Sequence, residues 1–490
     1  MTVLITSPYA PMLAAVIGAA ASLVLSGWRL AKSSVMASVY GLVIGAAIAG
    51  VQAQTLVEGG GPVGAGELHS LPVAVCLALG AAVLGSSLYA LSANGPGPRI
   101  AALVALGAAA AAFMAATTDL LLLFIAVETL ALCGYGIVAL ANTDRSRESA
   151  MKWFVQGSVA TTIFIVGLGV LAAQTGGSLS YAKLTEIASA PTSSVALAVG
   201  FALVLSALAF KAGAFPFHSW MPDAFETGPA PGIAMLASVG KVAPLAAAAY
   251  LVVAITGATG DRLAPVLATL AVASIVFGNL VALRQRSLAR MLAYSGVAQV
   301  GYAFVGLVAG MNALTVVTFA ALYGITSAAS FLFIVALREA EPDWDGSISG
   351  LAGLSRAHPM LAASLAVVMF SLTGIPLTAG FWGKFAVLAA AASEGWLWLV
   401  ALAMLASVVS FGYYGGVLRA AFMAEDDAEP DVTAPEGESE AHTDESAARN
   451  APIKWPASSL VATVVFAGVI VLVGVAPFLV NATSVAAFLP

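Results

Sequence analysis

Four ionisable side chains fall inside long apolar stretches of this sequence, and its chemistry has to be sought there. Glu128 sits in Phe124-Ile-Ala-Val-Glu-Thr-Leu130. Lys211 and Lys241 flank a turn interrupted by proline and glycine, and Lys384 follows a second interruption, Gly374-Ile-Pro-Leu-Thr-Ala-Gly380. A charge in hydrocarbon is costly unless it has a partner, a hydrated cavity or a proton to exchange, so such residues mark ion or proton pathways. Glu128 and Lys211 are natural partners. A pair that opens and closes changes each member's affinity for a proton, as a pump element requires; a pair that stays shut is a structural link between two helices. Lysine suits a relay because burial tunes its proton affinity, which arginine resists. The alternatives are a structural charge at Lys241, bonded to a neighbouring helix, and a snorkelling side chain at Lys384.

Other candidates are less isolated. His218, after Pro216 and Phe217, has an imidazole suited to a proton path or to tight packing. Tyr294, Ser295, Gln299 and Tyr302 give one helix a polar face, which can hold water or bond helices together. Asp223 and Glu226 read as turn residues and loop charges, and Lys152 as an anchor at a helix start.

These side chains need a membrane scaffold to position them. Of 490 residues 60% are hydrophobic and only 9% charged, with a mean hydropathy of +0.98. Soluble domains carry roughly 25% charged residues, so the chain reads as an all-α polytopic membrane protein. Apolar runs predict about fourteen transmembrane helices, from 8–26 to 456–480, including 119–140, 193–213, 230–256, 263–283, 291–309 and an interrupted 359–392. If loops alternate sides, fourteen of the nineteen Lys and Arg residues, among them Arg99, Arg145, Arg286, Arg290 and Arg419, fall on one side. Only Lys183 and Arg262 fall on the other, so the positive-inside rule puts both termini outside the cytoplasm. The remaining three are the intramembrane lysines.

The seventh and twelfth helices are discontinuous, each with a lysine beside its break. They lie five helices apart, and an odd offset inverts orientation, so the expectation is two inverted five-helix repeats. The division is an N-terminal three-helix segment (1–98), a first repeat (99–256), a second (257–423), an acidic flexible loop (424–454) and a C-terminal helix (455–490). Within that loop, ten carboxylates among prolines and small residues read as a solvated linker. No removable signal peptide is expected. Cys76 and Cys133 make no CxxC, metal-ligand or iron–sulfur spacing, and no Rossmann or P-loop pattern occurs. The expectation is therefore no cofactor or metal in this chain.

Three motifs carry a resemblance. Phe217-His-Ser-Trp-Met-Pro-Asp-Ala-Phe-Glu226 followed by Thr-Gly-Pro-Ala-Pro, Arg290-Met-Leu-Ala-Tyr-Ser-Gly-Val-Ala-Gln-Val-Gly-Tyr302 and Gly374-Ile-Pro-Leu-Thr-Ala-Gly-Phe-Trp-Gly-Lys-Phe385 resemble motifs of the antiporter-like membrane subunits of respiratory complex I. The last is most typical of subunit N, which Lys384 also favours over subunit M; subunit L is disfavoured for want of a long C-terminal lateral helix. The match runs from about Arg99 to Arg419. It implies fourteen helices with inverted repeats around a hydrated polar axis, Glu128 and Lys211 as the ion pair, Lys241 as central relay and Lys384 as terminal lysine. It also raises Lys152 above an anchor. Three positions depart from the pattern: Gln299 stands where many members have histidine, Gly296 where serine is commoner, and the loop after Glu226 reads Thr-Gly-Pro.

The function this implies is proton translocation in the bacterial plasma membrane, as a non-redox subunit of an NADH:quinone oxidoreductase. Other membrane subunits and a peripheral redox arm would be its partners, carrying flavin, iron–sulfur clusters and quinone; no nucleic acid is expected. The alternatives are a subunit of a multisubunit cation/proton antiporter or membrane-bound hydrogenase-type complex, and a scaffold whose charges only bind neighbours.

Overall fold

A computed structural model of the chain describes residues 10–27, 31–58, 65–87, 91, 96–189, 195–308, 313–423 and 457–476. The acidic loop lies outside them. Among the described residues the fold is helical throughout, with no strand and two isolated β-bridges, Asp119–Ser180 and Ser287–Ser347, that tie connecting loops together. Ten helices are long and apolar enough to cross a membrane, and five shorter apolar helices accompany them. The chain is a multi-pass membrane protein.

We number the helices α1 (Ala10–Gly27), α2 (Ala31–Glu58), α3 (Ala65–Ser86), α4 (Gly97–Ala116), α5 (Leu120–Ala139), α6 (Asp144–Thr175), α7 (Tyr181–Ala188) and α8 (Val195–Ala212). They continue as α9 (Trp220–Thr227), α10 (Ala230–Ala237), α11 (Val239–Ala282), α12 (Leu288–Val308) and α13 (Ala313–Ala340). The last are α14 (Leu354–Ala357), α15 (Pro359–Thr373), α16 (Ala379–Ser393), α17 (Leu397–Phe422) and α18 (Ala457–Val475).

Local chemistry sets several boundaries. The Asp119 carboxylate accepts from the backbone N–H groups of Leu121 and Leu122 and starts α5. Thr143 and Ser146 cap one another's backbone N–H and start α6, which Gly176 closes at φ 66°. These satisfy donors and acceptors that a helix end leaves free.

Both expected interruptions are present. α8 ends before Gly213 and the chain resumes as α9; α15 ends before Gly374 and resumes as α16. A third was not legible in the apolar pattern. Ser238, at φ −100° and ψ −82°, separates α10 from α11 within the stretch expected as one helix over 230–256. Helical backbone continues from Val239 to Ala282, yet this is two membrane-length windows, Ala230–Ile255 and Leu263–Ala282. Both ends of α11 reach the same turn of α12. A Cβ on Gly296 would lie 3.0 Å from Lys241 Nζ, and a Cβ on Gly278 would lie 2.6 Å from the Ala298 nitrogen. A straight helix would hold those positions about 55 Å apart. The chain therefore turns back between the windows.

α12 and α13 form the centre and are almost wholly buried. α6 and α17 turn Val155, Val159, Val166, Leu405, Val408 and Phe411 outward, as lipid contact requires. Helices approach closely where a side chain is missing, as small residues allow in a bilayer. Gly278 packs against the backbone of α12, whereas a methyl group at Gly416 would meet nothing within 4 Å. Gly278→Ala should therefore cost about 1–3 kcal/mol through overpacking. In detergent its unfolding midpoint should fall well below that of Gly416→Ala; equal midpoints would contradict this packing.

Candidate functional site

The site begins with the pair that charge alone suggested. Glu128 on α5 places Oε1 3.3 Å from Lys211 Nζ on α8, with Lys211 almost fully buried and the carboxylate partly so. The same oxygen accepts a hydrogen bond of 2.8 Å from the Thr161 hydroxyl on α6. The Lys211 ammonium makes no well-directed hydrogen bond among the described residues, so its neutralisation rests on the ion pair.

Beyond Lys211 the backbone breaks. Gly213 takes φ 80°, open to glycine at little cost, and so ends α8. The helix's last carbonyls then lack intrahelical donors. Lys241, buried on α11, donates from Nζ to the Ala212 carbonyl at 3.2 Å. The second interruption repeats the arrangement. Gly374 takes φ 92° at the end of α15, and buried Lys384 on α16 donates to the carbonyls of Leu372 and Thr373 at 3.0 and 2.8 Å. Each ammonium thus sits at the negative end of a helix dipole that stops inside the protein. By chain proximity the second break pairs Lys384 with Lys211 in the first; in space the counterpart of Lys384 is Lys241.

Between the two lysines lies the polar face of α12. Gln299 donates from Nε2 to the Leu372 carbonyl at 2.9 Å, beside Lys384. It lines a cavity of about 10 Å³ with Tyr323, Thr326, Ser371 and Lys384, roughly the room one water needs. Ser295 and Tyr414 hydrogen-bond to one another, Tyr302 donates to the Ala403 carbonyl at 2.9 Å, and Tyr413 donates to Asn279 Oδ1 at 3.0 Å. Lys384 Nζ stands 4.6 Å over the Tyr302 ring and 3.4 Å from Ser407 Oγ. Side chains of α12, α16 and α17 thus give the Lys384 end a continuous polar lining.

The remaining candidates separate. His218 is buried, its ring packed among Phe215, Phe277 and half-buried Tyr294 at centroid distances of 5.6, 4.7 and 6.1 Å. Lys152 lies on the exposed face of α6, bonded to Glu148 at 2.7 Å. Asp223 and Glu226 do more than close a turn: both accept from Arg290 Nη1, at 2.8 and 3.0 Å, fastening α9 to the start of α12. A parallel stack of Trp153 on Trp220, 4.2 Å between centroids, joins α6 to α9, and Trp220 Nε1 donates to the Phe210 carbonyl at 3.1 Å. Thr161, Ser407 and Trp153 gave no signal in the sequence, and Arg290 and Trp220, although they stand in the quoted motifs, gave none for the contacts they make. Among the described residues, no three His, Cys, Asp or Glu side chains come together in a way that could hold a metal ion.

Comparison with known proteins places the arrangement. Residues 117–410 match the family described as NADH:quinone oxidoreductase/Mrp antiporter, TM. NADH-quinone oxidoreductase subunit N of Hirschia baltica is 37% identical over 316 residues, covering 64% of this chain and 65% of that protein. NADH-quinone oxidoreductase subunit N 2 of Acidobacterium capsulatum is 39% identical over 346 residues, covering 66% and 68%. The matched region thus spans about two thirds of these relatives. A chain of respiratory complex I from Thermus thermophilus superposes with a TM-score of 0.76 at 28% identity, over 96% of this chain and 98% of that one. A chain of the Mrp complex from Dietzia sp. DQ12-45-1b superposes with a TM-score of 0.80 at 21% identity, over 97% and 96%, a likeness of fold.

The Arg290 cluster is partly exposed, so its electrostatic contribution is modest and screened by salt. Arg290→Gln should lower stability by about 1 kcal/mol or less, and the gap to the unaltered chain should narrow as salt rises in a thermal-shift series. A gap independent of salt would mean that Arg290 acts through packing instead.

Proposed function

We propose, from the premise that this chain belongs to the NADH:quinone oxidoreductase/Mrp antiporter transmembrane family, that it is a proton-translocating membrane subunit of a bacterial NADH:quinone oxidoreductase. The observation that carries the reading is the repeated device at the two interruptions: a buried lysine on the carbonyl end of a broken helix, Lys241 on Ala212 and Lys384 on Leu372 and Thr373. The two interrupted helices support two inverted repeats, 99–256 and 257–423, and the ten long and five shorter apolar helices among the described residues make fourteen spans when α15 and α16 count as one interrupted crossing. Arg290 bonded to Asp223 and Glu226 fits a basic cytoplasmic end near the first break.

In this mechanism partner subunits of a peripheral arm, holding flavin, iron–sulfur clusters and quinone, release redox energy. That energy opens or closes the Glu128–Lys211 pair, 3.3 Å apart at rest. Opening it alters the electrostatic surroundings of Lys241, which passes a proton along the polar face of α12, past Gln299 and Tyr302, to Lys384. Arginine could not serve at either position, because it does not give up its proton. Tyr294 and His218 flank the path, and Lys152 stands at its exposed edge. A cation/proton antiporter subunit is the second reading, because the family that the chain matches is described as including the Mrp antiporter. The similarity to proteins named subunit N, at 37% and 39% identity, weighs for the first.

The test is inverted membrane vesicles given NADH. Glu128→Gln and Lys211→Ala should each lower proton pumping about tenfold or more, since each leaves a buried charge uncompensated, while the complex stays assembled. An unchanged proton-to-electron ratio in both would overturn the reading. Cation-dependent proton flux with no electron donor would put the antiporter reading first, and unaltered flux after neutralising both partners together would leave only a scaffold.

A further inference from the structure

Thr161 carries one hydroxyl hydrogen and has two acceptors in range: Glu128 Oε1 at 2.8 Å and the Gly157 carbonyl at 2.9 Å. A threonine hydroxyl rotates freely and can accept while it donates. Its neighbourhood keeps it close to Glu128. One turn away on α6, Gly157 leaves so little room that a Cβ there would lie 1.9 Å from the Tyr135 hydroxyl, and Tyr135 also packs edge-on against Trp153. α5 and α6 therefore meet closely one turn along α6 from Thr161.

We propose that Thr161 is the positioning residue of the Glu128–Lys211 pair, a two-way hydrogen-bond partner that holds the Glu128 carboxyl in place in both of its protonation states. The inference rests on the reading of that pair as a proton-exchanging element. With Glu128 ionised, Thr161 donates to Oε1, the oxygen that faces the Lys211 ammonium. Transfer of one proton from Lys211 Nζ to Glu128 Oε1 leaves a neutral amine and a neutral acid. The new acid O–H then donates to Thr161 Oγ1, and the threonine hydrogen turns to the Gly157 carbonyl. No polar atom of the carboxyl's α6 contact is orphaned in either state, although orphaning in an apolar setting is costly. Lys211 can then move away without the carboxyl following it. A valine in that place would offer the same shape and neither bond.

The test uses the assembled complex in its own membrane, with Thr161→Val and Thr161→Ser measured beside Glu128→Gln. Thr161→Val should lower NADH-driven pumping about tenfold, the scale of one hydrogen bond to a charged group, and change its pH profile. It should also shift the infrared carboxyl band that Glu128→Gln removes. Thr161→Ser should restore all three. Should Thr161→Val fail to assemble, Thr161→Cys, with only a weak thiol donor, should give the same loss and band shift. Full pumping in Thr161→Val with Glu128→Gln still inactive would overturn the role of Thr161 and leave the pair's role standing. An unmoved band with both Thr161→Val and Thr161→Ser impaired would overturn it too, as plain helix packing. An active Glu128→Gln would remove the reading beneath it.

Discussion

A backbone carbonyl set free in hydrocarbon must be given a donor, and this constraint governs how the molecule is built. Two membrane helices stop partway, at Gly213 and Gly374, and each exposes carbonyls to an interior without bulk water. The ammonium groups of Lys241 and Lys384 are among the donors that answer them, beside Trp220 at the first break and Gln299 and Ser407 at the second. The break makes room for the charge, and the charge satisfies the break. Discontinuity and buried lysine thus occur together twice.

The rest of the packing serves that feature. α9 has to stay seated for the end of α8 to remain where Lys241 needs it. The Trp153–Trp220 stack holds it from α6, and Arg290 holds it from α12 through two carboxylates. Glu128 and Lys211 sit just upstream of the same break. Their ion pair therefore joins α5 to a helix end that is already held on two sides, from α6 and from α12.

How much of this could be read from the chain depends on whether one residue is anomalous by itself. Glu128, Lys211, Lys241 and Lys384 are, because a charge within an apolar run needs no partner in view to be noticed. Gly213, Pro216, Gly374 and Pro376 announce both interruptions in the same way. Ser238 does not, since its break is imposed by what packs around it. Arg290 lies 67 and 64 residues from the carboxylates it holds, so loop and turn chemistry account for all three residues until they are seen together. A threonine inside a helix is unremarkable, and only the facing Glu128 oxygen draws notice to Thr161. Lys152 is legible only through the family resemblance, since its pairing with Glu148 on the exposed face of α6 is ordinary for a lysine at a helix start.

The burial pattern has one more consequence. α12 and α13 touch protein on nearly every side and carry serine, glutamine, threonine and tyrosine inward, while α6 and α17 offer branched and aromatic side chains to lipid. The molecule is an oil-skinned body with a polar heart, the reverse of a soluble globule. Lipid solvates leucine, valine and phenylalanine almost alike, so the outer helices are free to drift in sequence as long as they stay greasy. Each residue of α12 is checked by neighbours all round it. Over evolutionary time the skin should wander and the heart should stay put.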